Sequence, residues 1–166
     1  MQSAVGPERD RAAARPLSEL LACPVATATL LNTSAKYFEF ATGETVFRQG
    51  ERCRGLYLVI SGQLQRRANR LQTRLILGSV HAGEIVELAA ALGDGAHTYS
   101  LVAQSAGSMM LLPIDSLELA FRSHPPLRMQ LLEELAREVS RAYVICCATR
   151  NAGFGRRATG APVGRG

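Results

Sequence analysis

Between Tyr37 and Leu112 the chain breaks into short apolar runs separated by glycines. The runs are Tyr37–Phe40, Thr45–Phe47, Leu56–Ile60, Leu64–Arg67, Arg74–Leu77, Leu101–Ala103 and Met109–Leu112. Glycines fall at 43, 50, 55, 62, 78, 83, 95 and 107. Each run is too short for a stable helix but long enough for a strand, and the turn signals recur at roughly 8–12 residue intervals. That rhythm predicts an antiparallel β-sandwich or barrel.

Helices are expected on both sides of it. Leu17, Leu20 and Leu21 before Pro24 read as a short helix that stops ahead of the proline, with a second short helical stretch near Ala26–Leu31. After Pro113, Asp115-Ser116-Leu117-Glu118 has capping-box spacing, with Asp115 as N-cap of a helix reaching about Arg122. His124-Pro125-Pro126 ends it. A longer helix follows over 127–147, with Leu132, Leu135, Val139, Ala142 and Cys146 spaced as a heptad seam. The seam suits either an amphipathic helix packed on its own barrel or a helix paired with its twin in a dimer.

Charge and cysteine spacing exclude several functions. The net charge is +5, but residues 17–149 hold 12 basic and 12 acidic side chains, so the excess lies in the termini. A neutral folded part is a poor electrostatic footprint for DNA. Residues 1–15 and 149–166 are too poor in large apolar side chains to offset their ordering entropy and read as disordered tails, the second of them basic. A single folded domain over 16–148 remains. Cys23, Cys53, Cys146 and Cys147 contain no C-x-x-C pair, so their spacing supports neither a zinc motif nor a redox dithiol, and no metal site is expected. No Gly-x-Ser-x-Gly elbow is present and Glu84 with Glu87 suits helix-start chemistry, so no enzyme is expected. No apolar run reaches the roughly 18 residues of a membrane span, and the N-terminus lacks a signal-peptide core, which places the chain in the cytoplasm.

Three motifs in register resemble the cyclic-AMP receptor protein/FNR family. Gly43-Glu44-Thr45-Val46-Phe47-Arg48-Gln49-Gly50-Glu51 resembles its first turn and strand, and Leu56-Tyr57-Leu58-Val59-Ile60-Ser61-Gly62 its next strand and hairpin glycine. Gly83-Glu84-Ile85-Val86-Glu87-Leu88-Ala89-Ala90 falls where that family carries its phosphate-binding cassette. The resemblance implies a mainly β fold with flanking helices, an antiparallel β-roll or jelly roll of the cyclic-nucleotide-binding type, followed by a long C-terminal dimerisation helix.

It also implies a ligand site at Gly83, Glu84, Glu87, Leu88, Ala89, Ala90, His97 and Thr98. Amides at a helix start bind an anion, small alanines let the ligand approach, and Glu87 or Glu84 would accept from a ribose 2′-hydroxyl. The pattern departs from the family where an arginine followed by Ser or Thr normally grips the phosphate. That place falls on His97-Thr98, and the missing guanidinium costs on the order of 1.5–3 kcal/mol. The stretch 83–88 is also one residue shorter than the cassette, setting Glu87 against a position that is often glycine in members that do not bind cyclic AMP. Haem-sensing relatives use His or Cys ligands, for which His81 and His97 are the candidates; an iron–sulfur centre would need several clustered cysteines, and only Cys23 lies near the N-terminus.

The implied function is a regulatory small-molecule-sensing domain of a bacterial transcriptional regulator, truncated before its DNA-binding domain. The alternative is a degenerate, non-binding scaffold or dimerisation protein. The implied effector is a cyclic nucleotide or another small molecule, with no obligatory cofactor. The implied partner is a second copy or a full-length relative, with no sequence-specific DNA contact by this chain and no membrane.

Overall fold

The structure, a computed structural model, describes residues 16–154, and their side chains except those of 145, 146 and 148–154. Both expected disordered tails lie outside the described residues, apart from 149–154. Two short helices, α1 (Leu17–Leu20) and α2 (Val25–Ser34), lead into eight strands. These are β1 (Lys36–Phe40), β2 (Thr45–Phe47), β3 (Gly55–Ser61), β4 (Gln63–Arg70), β5 (Thr73–His81), β6 (Ile85–Val86), β7 (Ser100–Ala103) and β8 (Gly107–Pro113). Helix α3 (Leu88–Leu92) interrupts them between β6 and β7, and α4 (Ile114–Ser123) and α5 (Pro126–Phe154) follow.

The strands form two antiparallel four-stranded sheets, ordered β1-β8-β3-β6 and β2-β7-β4-β5. The expected fold class is met, down to the long C-terminal helix. Phe40, Phe47, Tyr57, Val59, Leu64, Val80, Val86, Leu101, Met109 and Leu111 form one buried cluster. In β3 and β8 the alternate residues Leu56 and Leu112 are buried as well, and they meet Leu17, Leu20 and Leu21 on the other face. Covering one sheet on both faces explains why these two strands read as continuous apolar runs instead of alternating ones. The two strands also lie close: a Cβ at Gly55 would sit 1.9 Å from the Leu112 carbonyl oxygen, and one at Gly107 2.2 Å from that of Ser61.

Two local expectations change. Asp115 is not an N-cap. Pro113 holds that place with φ −60°, makes no side-chain cap, and carries the chain directly from β8 into α4, so Asp115 already lies in the first turn. The two-residue β6, inside the stretch 83–90, pairs with β3 through Tyr57–Val86 and Leu58–Ile85. The last helix starts at Pro126 and continues past Cys147 to Phe154, into the segment expected to be disordered. The chain divides into two compact units between Leu132 and Glu133, inside α5.

In the first unit, Leu127 and Leu131 are buried. In the second, Leu135 is half-buried, while Val139, Ala142, Tyr143 and Val144 are exposed, and Glu134 pairs with Arg137 and Arg141 at 2.9 and 3.1 Å. Of the seam residues, Leu132 is half-buried and the side chain of Cys146 lies outside the described ones.

Candidate functional site: a buried Glu87–His97 pair

The cassette begins as a turn. Gly83 takes φ +87°, its amide donates to the Val59 carbonyl at 2.8 Å, and the Val59 amide donates to Glu84 O at 3.1 Å. This anchors the turn to β3. The Glu84 carboxylate accepts from the His81 amide, closing the turn from the solvent side. The chain then runs through β6 and reverses at Glu87, which is the N-cap of α3 with φ +73° and ψ +28°. A non-glycine residue in this left-handed region is strained by roughly 1–2 kcal/mol, which is why glycine suits such a position.

The twist turns the Glu87 side chain inward, where one carboxylate oxygen lies 2.8 Å from His97 Nδ1. Both residues are only 3% exposed. His97 reaches this point because two loops are laced together. The Gly50 amide donates to His97 O at 2.8 Å, the His97 amide to Glu51 O at 2.8 Å, and the Cys53 amide to Gly95 O at 2.7 Å. Its imidazole stacks on Phe47, with ring centroids 3.9 Å apart and planes 5° apart, and Tyr57 stands 6.0 Å away.

The second carboxylate oxygen of Glu87, Oε1, is buried and makes no hydrogen bond of ordinary geometry. The Tyr99 hydroxyl and the Thr98 amide lie beside the carboxyl and favour its ionised form. Burial outweighs His97 and these neighbours and pushes the Glu87 pKa above the usual carboxylate value. Burial also raises the Cys53 thiol, raises Tyr57 to about 12, and raises Tyr99, whose ring lies under the Arg66 guanidinium at 5.6 Å.

Of the residues expected to line a ligand site, the fold brings Glu87 and His97 into hydrogen-bond contact. Leu88 and Ala90 are core residues, Ala89 is half-buried, and Gly83, Glu84 and Thr98 are exposed. Phe47, Cys53, Tyr57 and Tyr99 surround the pair and were not singled out as site residues. Two described cavities lie elsewhere. One of about 460 Å³ is lined by Leu17, Val25, Tyr37, Leu58 and Ile60 among others. Another of about 430 Å³ lies between Gly93, Glu118, Arg122 and Arg128.

The family model described as the cyclic nucleotide-binding domain matches residues 37–124. The chain belongs to this family. No curated protein matches it. Among solved structures, it resembles the N-terminal domain of a transcriptional regulator from Streptomyces coelicolor A3(2), at 21% identity and a TM-score of 0.59, over 89% of this chain and 96% of that one. It is also similar to the catabolite activator protein of Thermus thermophilus, at 22% identity and a TM-score of 0.69, over 82% of this chain and 63% of that one. A cyclic nucleotide-binding domain from Methylobacillus flagellatus gives a TM-score of 0.71 at 15% identity, over 81% and 82%. Identities this low carry the fold alone. The two sheets and the strand-turn-helix of the cassette are thus those of a cyclic nucleotide-binding domain. No helix among the described residues is long and apolar enough to cross a membrane.

Proposed function

We propose that the chain is a regulatory domain of the cyclic-AMP receptor protein/FNR type whose cassette is closed by its own side chains, so that it does not hold a cyclic nucleotide in the manner its family name describes. The observation that carries this reading is the 2.8 Å Glu87–His97 contact at 3% exposure of each residue. A phosphate clamp needs a free cation, and a ribose hydroxyl needs a free carboxylate. Here the only side chains at those places are committed to each other in the core, and Glu87 would have to leave it to reach a ligand. Breaking a buried, hydrogen-bonded pair costs several kcal/mol, which would be subtracted from any binding energy. The signal is then a small effector other than a classical cyclic nucleotide, and the domain is not an enzyme.

A second reading makes the domain a dimerisation scaffold, pairing with another copy or a full-length relative. Exposed Val139, Tyr143 and Val144 on α5 favour it, since single apolar side chains are ordinary on a surface but a row along one helix invites a partner.

Thermal unfolding with cyclic AMP, cyclic GMP, cyclic di-GMP and haem tests the closed cassette. At about 1 mM, a ligand with a dissociation constant near 10 μM would stabilise the fold by about 2.7 kcal/mol. No shift is expected with cyclic AMP or cyclic GMP. A rise of several degrees with either would show that the pair opens and would overturn the reading.

A further inference from the structure

We propose that Cys53, Glu87 and His97 form a buried site for a divalent transition-metal ion of the zinc class. The inference goes beyond the regulatory reading and does not depend on it. The cysteine sulfur, a carboxylate oxygen and an imidazole nitrogen all lie within 4.8 Å of one another, and all three residues are buried. A tetrahedral zinc ion spaces its ligand atoms by about 3.5 Å, so modest side-chain rotations close the cluster on an ion.

An independent observation points the same way. Glu87 Oε1 is buried and lacks a hydrogen bond of ordinary geometry, while its sister oxygen faces His97. Buried polar atoms are rarely left so, and an unfilled ligand position is one of the few explanations. The donor set is also selective. Thiolate and imidazole favour zinc-class ions, whereas magnesium and calcium take oxygen ligands.

The charges balance as well. On binding, the Cys53 S–H bond breaks, its proton and any proton on the Glu87 carboxyl go to solvent, and the sulfur lone pair bonds the ion, giving up the present 3.1 Å donation to the Gly55 carbonyl. Thiolate and carboxylate together neutralise a divalent cation, and neutral His97 adds no charge. The filled site therefore carries no net charge into a buried environment, where an unbalanced ion is strongly disfavoured.

The test uses the full chain, stripped with a chelator and titrated with Co²⁺. One equivalent is expected to give a thiolate-to-cobalt charge-transfer absorption that Zn²⁺ displaces and Mg²⁺ does not. Cys53→Ser should abolish the band, Glu87→Gln should weaken binding by at least about tenfold, and a Cys146→Ser/Cys147→Ser variant should keep it. Because the single variants can lose their fold, the unaltered protein is also alkylated with and without Zn²⁺. The ion should slow modification of Cys53 more than tenfold beyond any slowing at the other buried thiol, Cys23. No charge-transfer band, a band that survives Cys53→Ser, or equal behaviour of Cys53 and Cys23 would overturn the proposal.

Discussion

Two histidine–glutamate pairs stand at opposite ends of one short segment and behave as different objects. His81 and Glu84 face solvent, with side chains 62% and 48% exposed and nearest atoms 3.6 Å apart. His97 and Glu87 use the same two residue types with side chains 2% and 0% exposed and atoms 2.8 Å apart. The outer pair closes a turn that its backbone already holds, and water screens whatever attraction it has. The inner pair is shielded from water, so each partner is the other's principal polar contact. Residue identity is therefore no guide to importance here; burial is.

The largest expected effect breaks the inner pair. His97→Ala should cost about 3–5 kcal/mol in urea unfolding, because it leaves a buried carboxyl without its hydrogen bond and removes the ring stacked on Phe47. The double change Glu87→Met/His97→Leu should recover most of that loss, since an apolar pair has no polar group to strand. A His97→Ala cost below about 1 kcal/mol would show that water already reaches the pair.

A smaller effect sharpens the comparison by pH. Burial raises the Glu87 pKa above its ordinary 4.5, so the folded state holds a proton that the unfolded chain releases. Stability from this group is complete below 4.5 and declines as the pH rises toward the raised folded value, by at most about 1.4 kcal/mol per pH unit. Glu87→Gln should flatten that decline in a pH series of unfolding curves; an unchanged slope would assign it to another group.

The smallest effect concerns the outer pair. Glu84→Gln should change stability by less than about 1 kcal/mol, because the amide still offers an acceptor to the His81 backbone and the exposed ion pair contributes little. A larger loss would make the turn, and not the buried pair, the main fastener of the cassette.

The strands were legible because each is a local event: glycine turns at 43, 62 and 83 and the apolar runs between them mark ladders that the structure then pairs. β6 was not, since two residues carry no period and its pairing depends on β3 being in place. The Asp115 cap had the right spacing, but Pro113 starts the helix earlier and takes the position. In the site, Glu87 and His97 could be singled out, as could the glycine-like place of Glu87, which the left-handed φ of +73° explains. Their mutual bond could not be read, because they lie ten positions apart with a helix between them and each suits a ligand contact on its own. Cys53 was invisible to motif reasoning. It arrives beside His97 only through the lacing of the loops around Gly50 and Gly95, a tertiary event with no sequence spacing of its own.

β5 closes neither sheet: it is the outermost strand of its sheet, with Leu75, Ile76 and Leu77 exposed along it. A free strand margin with greasy side chains is a template for end-on stacking of identical molecules. The register slip between Arg66 and Arg67, opposite Gly78 with φ +125°, bends that margin out of line. That kink works against edge-to-edge pairing of one copy of the chain with the next.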